Sequence, residues 1–482
     1  WKYDIATNMW TWMHGPQFGN NMVGNFGTQG ISSPLNIPPA RGWGANCWTG
    51  SDGHLYLYGG SNFGSFDDVW QYNISTNEWT WIHGNTIGPV TPIYGTKGVP
   101  SPTNTPGSRQ ECKSGWTTPN LLWTFGGDDN NDLWSFDLST HLWTWEAGDA
   151  FVGSLGNYGI KGVAAPTNAP PGRYSYTKWK DSKGHFYIFA GYGNFNQFND
   201  LWAYDLNTKM WTWTSGTQNT NDIGQDNGTC IEAINNTPAS RMENQTAQTN
   251  SECANAFWTF GGFDINNLKS FNDLWIYNSN NNKWILAWGN NSPYLGTGVY
   301  GTQGTANAGN IIPARGGVCI WTDKNQNLWV FGGLDIKNTP NDLFNDLWKF
   351  TPDANCFDIL ASNSSFNWPG NLNICEGQTA SINFPPGTQI STVPTIGASY
   401  DVNTGILTLT PNSTTNYAIT AQTPVGTPCP INETKTVTVT LRQKPIAAFT
   451  FNQQTSTLSN PVFSTSNTSQ HATNYTWYVD NQ

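Results

Sequence analysis

Residues 170–216, PPGRYSYTKWKDSKGHFYIFAGYGNFNQFNDLWAYDLNTKMWTWTSG, hold four short runs of alternating apolar character separated by turn residues. Tyr174–Trp179 gives way to a Lys-Asp-Ser-Lys-Gly turn, His185–Ala190 to a Gly-Asn loop, and Leu201–Asp205 to a Leu-Asn-Thr-Lys turn before Met210–Thr214. Runs this short with a period of two, joined by such turns, predict an antiparallel four-stranded meander.

Working outward, the same unit recurs. Five units open with an arginine, Arg41, Arg109, Arg173, Arg241 and Arg315, at nearly even intervals along the chain. Each has a second strand ending in small residues: Gly59-Gly60, Gly126-Gly127, Ala190-Gly191, Gly261-Gly262 and Gly332-Gly333. The third strand opens on Asp68, Asp132, Asp200, Asp273 or Asp346, ahead of Val-Trp or Leu-Trp. The fourth carries paired tryptophans, Trp79/Trp81, Trp143/Trp145, Trp211/Trp213 and, stretched, Trp284/Trp288. Residues 1–14 match only the last two strands, so the sequence is expected to open inside a unit. One meander cannot bury both faces, so units of a fixed repeat must stack, as in a propeller. Residues two apart on a strand share a face. Trp79 and Trp81 therefore present two large rings to one neighbouring sheet, and the 26 tryptophans read as core between sheets rather than as a ligand-stacking ladder.

The double glycine and the fourth-strand tryptophan resemble the kelch repeat, the propeller family that includes the central domain of galactose oxidase, over about residues 1–360. The resemblance implies an all-β fold, a kelch β-propeller of six or seven blades with the first incomplete. The blade units are expected at about 1–14, 41–83, 109–147, 173–215, 241–288 and 315–356. Five of the six arginines open a repeat. A guanidinium offers five donors in a fixed fork, and the third-strand Asp is a natural acceptor. Arg41, Arg109, Arg173, Arg241 and Arg315 are read as structural staples, with an anion-binding ring as the alternative.

Connections of about 25 residues join the units, longer than ordinary loops. They repeat among themselves: Phe26-Gly-Thr-Gln-Gly30, Tyr94-Gly-Thr-Lys-Gly98, Tyr158-Gly-Ile-Lys-Gly162 and Tyr300-Gly-Thr-Gln-Gly304, three continuing into Pro-x-Asn-x-Pro. This elaboration resembles kelch arrays of secreted, multidomain bacterial surface proteins, many exported by the type IX route. All should gather on one face. Their likeness suits buttresses for the next blade, while long loops on a rigid scaffold also suit binding. The binding candidates are Tyr94, Lys97, Tyr158, Lys161, Tyr300 and Asp226. Connection 217–240 lacks the Tyr-Gly motif and carries Cys230, which marks it as the expected specificity element.

After residue 350 tryptophan nearly vanishes and Thr, Ser, Asn and Pro dominate. Spaced alternating runs over 357–441 predict a β-sandwich. Cys375 and Cys429 resemble the disulfide of immunoglobulin-like modules, and 445–482 resembles the start of a polycystic-kidney-disease-type (PKD) domain. Of eight cysteines, Cys230/Cys253 and Cys375/Cys429 are the favoured pairs, with Cys47, Cys112, Cys319 and Cys356 unassigned.

Charged residues make up 11% of the chain and the net charge is −11, which leaves no basic nucleic-acid footprint and no polybasic membrane patch. No apolar run approaches the roughly 20 residues of a span. Low lysine and expected disulfides favour an extracellular or cell-surface setting. The copper site that galactose oxidase would imply needs converging histidines. His14 and His83 share one repeat slot, and His54 and His185 another, so each pair diverges around the disc. Asp128, Asp129 and Asp132 form an oxygen-rich cluster, a weak calcium candidate without EF-hand spacing, and no other cofactor is expected. The expected function is non-catalytic adhesion, the loop face recognising a glycan or surface protein above a β-sandwich stalk. The alternatives are a structural subunit of an extracellular assembly touching sister chains, and a carbohydrate-active enzyme.

Overall fold

The computed structural model describes residues 2–4, 7, 9–17, 23–42, 44–62, 64–248, 255–293, 297–323, 327–336, 342–352, 366, 368–423, 432–452, 464–472 and 474. They form strands, turns and loops with no helix among them. The chain divides into two compact units, Trp1–Ala361 and Ser362–Gln482.

In the first unit Thr177–Lys180, Phe186–Phe189, Leu201–Asp205 and Met210–Ser215 pair antiparallel in sequence order. The Arg41 and Arg109 repeats build the same four-stranded sheet. The Arg241 repeat gains a fifth strand, Glu232–Ala233, outside Lys283–Trp288. Three described strands make the Arg315 sheet, and Lys2–Asp4 with Met9–Thr11 make a two-stranded ribbon.

The sheets stack through the first tryptophan of each pair. Trp211 stands 5.4 Å from Phe125 of the preceding sheet and 5.1 Å from Tyr204 of its own. Trp143 lies likewise between Tyr58 and Phe136, and Trp284 between Phe189 and Tyr277. Beside the Arg315 sheet lies a cavity of about 440 Å³ lined by Phe260, Leu328, Val330 and Phe350. The second tryptophan differs from the expectation. Trp81, Trp145 and Trp213 pack on the connection aromatics Phe26, Tyr94 and Tyr158.

Backbone clamps join neighbouring sheets. Gly127 N–H donates to the Arg173 carbonyl at 3.0 Å, and Arg173 N–H returns to Asn130 at 3.0 Å. Gly262 with Arg315 and Gly191 with Arg241 repeat the bond. At Gly261 the slot favours glycine, with φ +62 and no room for a Cβ against the Arg315 carbonyl; Ala190 takes the equivalent slot of the Arg173 repeat at φ +60. Ser175 N–H donates to Glu111, Glu243 to Ser175 and Gly317 to Glu243, so one chain of bonds runs through four consecutive repeats.

Lys178, on a first strand, donates to the Gly115 carbonyl at 2.8 Å, and burial pulls its pKa down to about 8. Lysine in the unfolded chain titrates near roughly 10.4. The unfolded state therefore binds more protons between these values, and stability rises with pH across that window. Lys178→Met is expected to raise Tm at pH 7 and to flatten that rise. Identical Tm shifts at pH 7 and above pH 10 would sink the account.

The second unit holds two sheets. Leu372–Cys375, Asn432–Arg442, Thr415–Gln422 and Gln389–Val393 form one, its first pair parallel; Ala380–Asn383, Ile406–Leu409 and Ala398–Asp401 form the other. Ile382 and Leu407 of one share an apolar core with Tyr417 and Val437 of the other. Phe449–Asn452 pairs with Ser464–Asn467. Cys375 is a free, exposed thiol, so the expected bridge to Cys429 is not formed. The cause is strand alternation: Ile374 points into the core, so Cys375 points out of it. Cys429, Cys253 and Cys356 lie outside the described residues. Cys230 is disulfide-bonded, whereas Cys47, Cys112 and Cys319 are free.

Candidate functional site

The opening arginine of each repeat braces the turns beneath the connections. Arg173 and Asp200 are fully buried, with Nη1 and Nη2 donating to the two carboxylate oxygens at 2.6 and 2.7 Å. Nη1 also reaches the Ala190 carbonyl at 2.9 Å and Nε the Pro171 carbonyl at 3.1 Å, while the guanidinium lies over Phe198. Arg41–Asp68, Arg241–Asp273 and Arg315–Asp346 repeat this fork over Phe66, Phe271 and Phe344. Arg109 makes one bond, Nη2 to Asp132 at 2.6 Å, and Asn130 stands where the other repeats have phenylalanine. The donors point into the scaffold, which is a staple's geometry.

The same aspartates anchor the connections. Tyr158 hydroxyl and Trp202 Nε1 both donate to Asp200 Oδ2, at 2.7 and 2.8 Å, and the Tyr158 ring sits 5.1 Å from both Trp202 and Trp213. Tyr94 is held by Asp132, Trp134 and Trp145, and Tyr300 by Asp346 and Trp348. Lys97 and Lys161 donate to the Gly148 and Gly216 carbonyls and lie over Trp145 and Trp213. Tyr94, Lys97, Tyr158, Lys161 and Tyr300 thus turn their polar ends onto the scaffold as buttresses. The asparagine of Pro-x-Asn-x-Pro serves the same end: Asn168 Nδ2 donates to Val163 and Trp211 carbonyls at 2.9 and 3.1 Å.

Asp226 is different. Phe26, Tyr94, Tyr158 and Tyr300 precede Arg41, Arg109, Arg173 and Arg315 by one constant interval, and Asp226 precedes Arg241 by the same interval. Asp226 therefore stands in the tyrosine slot and Asn227 in the glycine slot. Leu286, two positions beyond Trp284, takes the place of the second tryptophan, so the stretched pairing with Trp288 is corrected. The backbone path is nevertheless conventional: Asn236 Nδ2 donates to Ile231 and Trp284 carbonyls, and Gln225 bridges Thr237 as Asn157 bridges Ala169. Connection 217–240 departs in its side chains, not in its course.

Beside it opens a cleft of about 520 Å³ whose walls set amides and carboxylates among apolar surface. Its walls come from the second-to-third-strand turns of two repeats (Gln197; Asp264 and Asn267), from the connection (Asn221, Asp222, Asp226) and from Asn291 of the next connection. Buried Phe271 contributes an apolar patch. Asp222 accepts from Gly224 N–H at 2.8 Å and Thr217 hydroxyl at 3.0 Å, and Asn291 Oδ1 accepts from Ala239 N–H at 2.7 Å. Asp226 Oδ1 accepts from Gly228 N–H at 3.0 Å. Among the described residues no lysine or arginine lines the cleft.

The calcium candidates are given separate work. Asp132 faces Arg109, Asp128 accepts from Gln110 N–H at 3.0 Å and Asp129 from Asn194 N–H at 3.3 Å. Burial raises the pKa of Asp128 and of Asp129. Among the described residues no three His, Cys, Asp or Glu side chains gather to hold a metal. His54 and His185 each bond the aspartate of their own turn, Asp52 and Asp181, on different sheets.

Residues 49–80 match the Kelch motif. The match runs from the end of the first strand into the fourth strand of the Arg41 repeat, and with the recurring antiparallel sheets it supports a kelch-type β-propeller. Kelch repeats are generally non-catalytic scaffolds for protein interaction. No curated protein matches the chain. Among the described residues no helix is long and apolar enough to cross a membrane.

Proposed function

We propose that the chain is a non-catalytic extracellular binding protein: a kelch propeller of six or seven blades whose loop face recognises a glycan or surface protein, carried on immunoglobulin-like and PKD-type modules. One contrast supports this reading. Tyr94, Tyr158 and Tyr300 lock their connections to the scaffold, whereas Asp226 leaves connection 217–240 beside an open cleft. Loops that differ on a rigid, repetitive frame are where recognition concentrates.

A second reading, a structural subunit of an extracellular assembly, is favoured by the likeness of the other connections, whose aromatics anchor to the scaffold in the same way.

The test is an array of glycans and surface proteins probed with the chain and with a variant whose 217–240 connection is replaced by the equally long 149–172 connection. Selective binding lost on exchange is expected. No selective binding, together with ordered multimers at the same concentration, would move the assignment to an assembly subunit.

A further inference from the structure

The cleft at Asp226 has a chemistry specific enough to name a ligand class. Gln197 and Asn291 are bonded within the walls, to Ile265, Ser240, Ala239 and Thr237, while Asn221, Asn266 and Asn267 on the exposed rim keep amide donors or acceptors beyond their own bonds, and Asp222, Asp226 and Asp264 only accept. A hydroxyl group also donates and accepts, so a ring bearing several of them answers both kinds of wall group. We propose that this cleft binds an uncharged, polyhydroxylated ring, a neutral sugar; the proposal rests on the binding-face reading above.

Competing classes fit less well. A phosphate, sulfate or uronic acid would face three carboxylates with no lysine or arginine beside them among the described residues, and like charges in a partly dry cleft repel strongly. An extended peptide takes its affinity from a free sheet edge and from pockets for alternate side chains; these walls are loops and the two-residue hairpin strands that end at Gln197 and Asp264, too short to template a bound strand. An amine would find one bare carboxylate oxygen, Asp226 Oδ2, because Asp222 already accepts from Thr217, Gly224 and Asn199, and Asp264 accepts from Asn267 through both its backbone and side-chain nitrogens. A single solvent-exposed carboxylate holds an ammonium group weakly. The volume suits one or two sugar rings and falls within the usual roughly 300–1,000 Å³ of small-ligand sites. Asp226 is the central residue of the proposal. Its Oδ2 accepts no hydrogen bond among the described residues, and its slot holds an aromatic ring in the four other connections.

The experiment titrates the full chain with methyl glycosides of glucose, galactose, mannose and N-acetylglucosamine, with glucuronate, and with spermidine, read by saturation-transfer NMR and calorimetry. At least one neutral glycoside is expected to bind, and glucuronate and spermidine to stay silent. Asp226→Tyr restores the repeat's own ring and should weaken that binding at least tenfold with Tm unchanged or higher. Asn267→Ala, on the exposed rim, should weaken it severalfold and keeps the test decisive if the tyrosine variant fails to fold. Binding of glucuronate or spermidine in place of the neutral sugars would overturn the proposal, as would neutral binding indifferent to both substitutions. An array hit lost on exchanging 217–240 yet indifferent to Asp226→Tyr would retain the binding face and discard this cleft; no array hit at all would discard both.

Discussion

Arg173→Ala is expected to destabilise the first unit by about 3–5 kcal/mol, the usual cost of stranding one partner of a buried ion pair. Asp200 would keep two donors, Tyr158 hydroxyl and Trp202 Nε1, but lose both guanidinium bonds in a site that solvent does not reach. The Ala190 and Pro171 carbonyls would lose their donors as well. Two comparisons separate the charge from the packing. Arg109→Ala should cost less, because Arg109 makes one bond to its aspartate and stacks on no ring. Arg173→Met combined with Asp200→Leu should recover much of the loss, since two apolar groups strand no charge.

Urea denaturation followed by tryptophan fluorescence at pH 7 measures the loss. A loss below about 1 kcal/mol at pH 7 would show that these forks are not staples.

What could be read in the sequence follows from what a repeat makes visible. The arginine and its aspartate are legible because both recur in slots of fixed order, and a chain with six arginines that places five of them alike advertises one role. The first tryptophan of each pair is legible for the same reason. Strand alternation sends the second to the wrong neighbour, because Trp213 meets Tyr158 only in space, from a different repeat segment, and alternation argues about faces and not about loops. The constant interval from connection aromatic to arginine is in the sequence, and it alone identifies Asp226 as a substituted tyrosine. The cleft itself is not legible. Its walls come from four separate segments that only the fold brings together, and composition and periodicity do not register such a meeting. Cys375 misleads because a spacing that resembles a family pair says nothing of which way the strand turns the thiol.

Trp284→Ala should cost a similar amount, about 3–5 kcal/mol, through lost contact and the cavity left behind. The ring is fully buried, 4.8 Å from Phe189 of the preceding sheet and 5.0 Å from Tyr277 of its own, and Nε1 donates to Ser215 Oγ at 3.1 Å. Trp284→Phe keeps an aromatic body and strands only Ser215, so it should cost less, on the order of 1–2 kcal/mol. The more informative readout is where the loss appears. In stacked repeats each sheet is stabilised by its neighbours, so a defect at the seam loosens both sides. Hydrogen exchange in Trp284→Ala should rise in Phe186–Phe189 of the Arg173 repeat as well as in Leu274–Asn278 of the Arg241 repeat. Faster exchange in the Arg241 repeat alone would mean that the sheets fold as independent units. The seam also bears on the proposed binding: Gln197 belongs to one side and Asp264 to the other, so the cleft exists only while the two sheets hold their spacing. Ligand affinity in Trp284→Ala should therefore fall even at temperatures where most molecules remain folded, because the cleft walls no longer keep a fixed separation.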